Sequence, residues 1–157
     1  MRCLTLSQPW ATLVAIGAKK IETRSWNTNY RGPLAIHAAK CFPKWAEALC
    51  HDEPFRLALL NAGVKSTSKY DLPLGAIVAT CELVATIQTG AAQAAYSLTD
   101  YEIAFGDYSP GRWAWRLVNV QKLSEPIPAK GMLGLWETKA HDRVDAVYLD
   151  SLWRKER

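Results

Sequence analysis

Three charged side chains near the start of the chain have the types and spacing to do chemistry. They are Lys19, Glu22 and Arg24, within Gly17-Ala18-Lys19-Lys20-Ile21-Glu22-Thr23-Arg24. An extended backbone over residues 20–25 sends successive side chains to opposite faces, so Lys20, Glu22 and Arg24 share one face and Ile21, Thr23 and Ser25 the other. Lys19 precedes the strand in a turn, within reach of Glu22 and Arg24. A carboxylate held between two cations can orient a base or move a proton, and the cations can grip an anion or a carbonyl. The plainer alternative is a solvated ion pair of little energetic weight.

A second group is aromatic. Trp10, Trp26, Tyr30, Trp113 and Trp115 lie in or beside basic stretches that also carry Arg31, Lys40 and Arg112. Bases stack on such rings for about 1–3 kcal/mol each. Aromatic and cationic groups on one face are what a single-stranded or flipped-base site requires. Tryptophans are equally core residues, and Trp10 and at least one of Trp113 and Trp115 are expected there. Trp26, beside Ser25 and Asn27, is the better open platform. His37 sits in an apolar strand, where a hydrogen-bonded core role competes with a ligand-contacting one. His37, Cys41, Cys50 and His51 match no zinc spacing. No metal or cofactor is expected, and the chain has no phosphate-binding glycine loop, dinucleotide fingerprint or serine-hydrolase elbow.

These residues need elements to hold them. Cys3–Leu6 reads as a strand. Ser7-Gln8-Pro9 starts a short helix, since Pro suits the first turn, and Trp10, Leu13 and Val14 form its apolar face. Gly17 ends it. Residues 27–32 are a turn and 34–38 a strand. Short helices follow Pro43 and Pro54, and 64–71 is a surface loop. Ile77 to Ile87 alternate without a break, the pattern of a long strand that bends as barrel strands do. Residues 89–100 read as a loop leading to a short helix near Asp100–Phe105. Arg112–Leu123 is a strand broken by Pro126 and Pro128, and Leu133–Glu137 closes the sheet. The expectation is α+β: a small barrel of about five or six strands with three or four peripheral helices. It spans 1–139. Residues 140–157 form an amphipathic helix with a charged tail, which would pack on the barrel or support self-association.

At 157 residues the chain is one domain of ordinary composition, 49% hydrophobic and 22% charged. No apolar run reaches the roughly 20 residues of a membrane helix, so no membrane partner is expected. With no signal segment, four scattered cysteines read as reduced thiols, and the expected compartment is cytoplasmic, or nuclear in a eukaryote. The net charge of +4 is unevenly spread. Residues 1–44 carry seven basic residues against Glu22 alone, a balance of +6 that leaves −2 for the rest. A basic segment on a near-neutral body suits an anionic partner.

Gly17-x-Lys19-x-x-Glu22-x-Arg24, with Gln8-Pro9-Trp10 before it and Tyr30-Arg31-Gly32 and Ile36-His37-Ala38 after it, resembles the signature of the ASCH domain family. The likeness covers roughly residues 3–137 and looks closest to the branch of transcription-coactivator and bacterial and phage members. It implies a PUA-like β-barrel and binding of nucleic acid or nucleosides. One branch hydrolyses acetylated cytidine, with a Lys where Lys19 stands and a Thr where this chain has Glu22; Thr23 faces the other way and is a poor substitute. Other members have been proposed to cleave RNA, for which His37 with Lys19 would supply base and charge.

The reading that results is a basic, aromatic cleft for RNA, single-stranded nucleic acid or a nucleotide-sized piece of it. It is built from Gln8, Trp10, Lys19, Glu22, Arg24, Trp26, Arg31, His37, Lys40, Arg112 and Trp113. The alternative is a metal-independent amidohydrolase or ribonuclease with Lys19 and Glu22 as its catalytic pair. A third is a protein-interaction module using the C-terminal helix.

Overall fold

The computed structural model describes residues 1–65 and 71–155, so most of the loop expected over 64–71 and the last residues of the charged tail lie outside them. Six strands form one sheet: β1 (Arg2–Leu6), β2 (Ile21–Arg24), β3 (Gly32–Ala38), β4 (Ala76–Gln88), β5 (Trp113–Pro128) and β6 (Leu135–Glu137). Their order is β2-β5-β4-β3-β1-β6. Among the described residues only β1 and β3 run parallel; every other pairing is antiparallel. The sheet curls into a half-barrel, and the class is α+β.

The described helices are α1 (Trp10–Ala15), α2 (Lys44–Leu49), α3 (Phe55–Asn61), α4 (Thr89–Tyr96), α5 (Asp100–Ala104) and, as the expected C-terminal helix, α6 (His141–Lys155); the first five stand where three or four peripheral helices were expected. The helix α4 replaces an expected loop. Its small residues are mainly alanines, the best helix formers. Ala92 is buried against Ile21 and Ala114, and that packing decides the matter. The α5 start is capped as its sequence suggests, with Thr99 Oγ1 accepting from the Glu102 N–H at 3.2 Å.

The strand β5 also runs five residues further than expected, through Pro126. The β4–β5 ladder shifts register between Ile77 and Ala79, opposite 122–127, so proline's missing N–H falls in an irregular stretch and costs no regular ladder bond. The register shifts also break the expected alternation along β4, where Ala76–Cys81 are all buried.

The sheet is covered on both faces. On one, α1 packs Ala11, Val14 and Ala15 against Leu4, Ile36, Leu83 and Trp115. On the other, Cys3, Ala35, Ile77 and Trp136 meet Val144 of α6. Burying such a side chain stabilises by about 1.5–3 kcal/mol. Tyr148 Oη donates to Glu82 at 3.1 Å, a second tie between α6 and β4. Among the described residues no helix is long and apolar enough to cross a membrane.

Candidate functional site

Among the described residues the edge strand β2 pairs with β5 alone, placing Glu22 opposite Trp115 and Arg24 opposite Trp113. Cross-strand partners point to the same face. Gly17, at φ +79°, turns the chain out of α1, and the Lys19 N–H then donates to the Leu13 carbonyl at 3.0 Å. This folds Lys19 back under β2. Its Nζ lies 3.6 Å from Glu22 Oε2, and Arg24 reaches Glu22 Oε1 at 3.6 Å. The three charges come together as their spacing suggests.

Their accessibilities differ. The Lys19 side chain is 1% exposed, that of Glu22 9% and that of Arg24 26%. Lys19 Nζ also donates to the Ile21 carbonyl at 2.5 Å. A grip on phosphate by Lys19 is therefore corrected: its ammonium is enclosed and committed to Glu22 and the backbone. Arg24 is the cation of the three that reaches solvent.

The aromatic group is also rearranged. Trp115 is fully buried, and Trp26 packs edge-on against it with centroids 4.7 Å apart. The Arg24 guanidinium lies 5.7 Å from the Trp26 ring centre. Trp26 is thus half-buried with one face taken, not an open platform. Trp113, beside Arg24 in register, is half-buried. Trp10 donates its indole N–H to the Phe105 carbonyl at 2.8 Å, and its ring lies 5.8 Å from that of Trp45. Trp45 is 63% exposed. It lies on α2, the short helix expected after Pro43, and the fold turns it outward.

Between β2, the helices α2 and α3, and the segment after α5 lies a cleft of about 310 Å³, with Trp10, Glu22, Thr23, Phe55, Phe105 and Arg112 on its walls. Arg112 sits 3.3 Å from the Asp107 carboxylate and donates to the Thr23 carbonyl at 3.3 Å. Thr23 Oγ1 accepts from the Asp107 N–H at 2.9 Å. Hydrogen bonds from Ser109, followed by the Arg112 charge, hold the Asp107 carboxyl below its ordinary value. Two acidic groups, Glu22 and Asp107, one accessible cation and three aromatic walls make a pocket that could enclose a flat, hydrogen-bonding ring.

Glu102 was missed. Its buried carboxylate accepts from the backbone N–H of Lys20 at 3.0 Å and of Ile21 at 2.9 Å, fixing the start of β2. Thr99-x-x-Glu102 has the form of a capping box, which was a readable signal.

The remaining expected residues stand apart. Gln8 is fully buried; its Oε1 accepts from the Thr12 N–H and its Nε2 donates to the Pro73 carbonyl. Arg31 donates to Thr86 Oγ1 at 2.7 Å, and Thr86 lies opposite Trp115, so Arg31 flanks the same face of the sheet. His37 and Lys40 line a different cleft, of about 980 Å³, with Lys130 and Met132. His37 Nε2 bonds the Ala129 carbonyl at 2.9 Å, and its ring stands edge-on to Trp136. Burial lowers the imidazole pKa, partly offset by that carbonyl. The single cleft expected from residues 8–40 and 112–115 is therefore two, because His37 points toward Trp136 while Glu22 points toward Trp115. Among the described residues no three His, Cys, Asp or Glu side chains converge as metal ligands would.

Known proteins place this geometry in a family. The ASCH domain model matches residues 4–127. Activating signal cointegrator 1 of Mus musculus is 28% identical and that of Homo sapiens 29%, each over 144 residues, or 88% of this chain. The chain spans 23% of the length of either relative. Crystal structures of an ASCH protein from Zymomonas mobilis superpose with a TM-score of 0.52 at 14% identity. They cover 94% of this chain, and 96% and 94% of theirs. That likeness supports the PUA-like fold. With a model matching most of its length and a half-barrel shared with solved members, the chain belongs to the ASCH domain family.

Proposed function

We propose that the protein binds single-stranded nucleic acid, RNA in the first instance, seating one nucleotide in the cleft beside Glu22. The observation that carries this is a carboxylate held by Lys19 and Arg24 on the wall of a cleft lined by Trp10, Phe55 and Phe105. Glu22 accepts from base amino or imino groups, and the aromatic walls take the ring. Arg24, Arg112 and Arg31 meet the backbone phosphates or base carbonyls. Lys19 keeps Glu22 aimed. The association of ASCH domains with RNA binding supports the same reading.

The test is a titration of labelled single-stranded RNA and DNA at two salt concentrations, on wild type and on Glu22→Gln/Arg24→Gln. Affinity should fall steeply with salt, because bound phosphates displace counterions. The double variant should lose most of it. Binding that is unchanged in the variant would remove this cleft from the function. Release of cytidine from acetylated cytidine, lost in the same variant, would instead make the protein a hydrolase.

A further inference from the structure

A second cleft, of about 540 Å³, lies next to the first along β2. Both are bounded by Phe105, and the two follow one another along the edge strand: Lys20 and Ile21 line one, Glu22 and Thr23 the other. Arg116, opposite Ile21 in register, belongs to the second cleft, and its guanidinium lies 5.4 Å from the Tyr96 ring centre. Lys20 and Arg116 are exposed, and among the described residues neither side chain pairs with a carboxylate. Glu102 is the acidic group in the cleft, and its oxygens are taken by the Lys20 and Ile21 N–H groups. The Tyr96 hydroxyl lining the cleft is buried and bonded to nothing in the described structure. Burial keeps that phenol protonated, against the charges of Arg116 and Arg31. It is therefore a hydrogen-bond donor lacking an acceptor, beside two cations lacking an anion. Tyr101, 52% exposed, offers a ring at the rim.

We propose that this cleft is a second nucleotide subsite, where Lys20, Arg116 and the Tyr96 hydroxyl take a backbone phosphate and Tyr101 stacks on the neighbouring base. A strand seated beside Glu22 would run along β2 past Phe105 and place its next phosphate here. The inference rests on the nucleic-acid reading of the first cleft and extends it from one nucleotide to a short single strand.

Lys20→Gln/Arg116→Gln removes the charges, keeps the stems and leaves the first cleft untouched. It should weaken binding of a short single-stranded RNA about tenfold and lower the log–log salt slope by about two, one for each phosphate-facing cation. Binding of a nucleoside monophosphate in the first cleft should not change. Tyr96→Phe should weaken the oligonucleotide severalfold with no change in melting temperature. Inorganic pyrophosphate, titrated alone, should shift the ring resonances of Tyr96 and Tyr101 in wild type and not in the double variant. Wild-type RNA binding with the variant equal in affinity and slope would overturn the second subsite and leave the first standing. Absence of RNA binding, with the pyrophosphate shifts intact, would overturn the nucleic-acid reading and support this cleft as an anion site. Absence of both would overturn both.

Discussion

The Lys19 ammonium and the Glu22 carboxylate stand 3.6 Å apart with 1% and 9% of their side chains exposed. A charge enclosed to that degree is tolerated only with its partner in place. Removing Glu22 should strand the Lys19 ammonium, and removing Lys19 leaves Glu22 with Arg24 alone. Lys19→Met is expected to destabilise the fold by about 3 kcal/mol, and Lys19→Met/Glu22→Leu by less than the sum of the two single changes. Denaturant unfolding of the three variants measures this. Additive losses would mean the pair is not coupled.

Arg24 differs from Lys19 in reaching solvent. Arg24→Ala should leave the melting temperature nearly unchanged, weaken RNA binding across sequences alike and lower the salt slope by about one. Anisotropy titrations over a salt series read all three. A large loss of stability would assign Arg24 to holding Glu22 rather than to holding ligand.

Gly131 lies against the His37 ring. A Cβ there would come within 2.5 Å of His37 Cε1 and 2.9 Å of Thr5 Oγ1. His37 is itself held by the Ala129 carbonyl and by Trp136, so the ring has little room to yield. Gly131→Ala should therefore cost about 1–3 kcal/mol by overpacking. Thermal unfolding tests it, and Gly90→Ala, at an open position, serves as the control.

His37 also predicts a pH dependence. Burial lowers its pKa from 6.5 in the folded protein, so the unfolded chain takes up a proton first as pH falls. Its contribution to stability is present above pH 6.5 and is lost as the pH drops from there through the folded value. Unfolding free energy should fall below pH 6.5 in wild type, and less steeply in His37→Gln. Equal slopes in the two proteins would sink the assignment.

The thiols divide sharply. Cys3, Cys50 and Cys81 are buried and Cys41 is exposed. Desolvation pushes Cys3 and Cys50 up to about 11 and Cys81 to about 12. A thiolate is the reacting form. Under native conditions a haloacetamide should label Cys41 alone, with the other three reacting on unfolding. Mass spectrometry of the labelled peptides distinguishes the cases.

How far the sequence reached can be argued from these residues. Gly17-x-Lys19-x-x-Glu22-x-Arg24 stated its own geometry: a turn that needs glycine, then two strand residues on one face with a lysine in the turn within their reach. Such local relations follow from backbone periodicity over a few residues, so they were legible in advance. So was the α+β class, from strands and short helices that turn residues punctuate. The α4 helix was not, because a run of alanines is ambiguous until Ala92 finds Ile21 and Ala114. The enclosure of Lys19, the edge-on packing of Trp26 on Trp115 and the separation of His37 from Glu22 all depend on which face of the curled sheet a residue meets. Residues far apart in the chain fix that face: Arg116 beside Lys20, Glu102 under Ile21, Trp136 across from His37. The sequence by itself determined which side chains could do chemistry and how neighbours along one strand are arranged. Which of them touch solvent, and which share a cleft, was decided only by tertiary structure, because burial is a property of the whole packed chain.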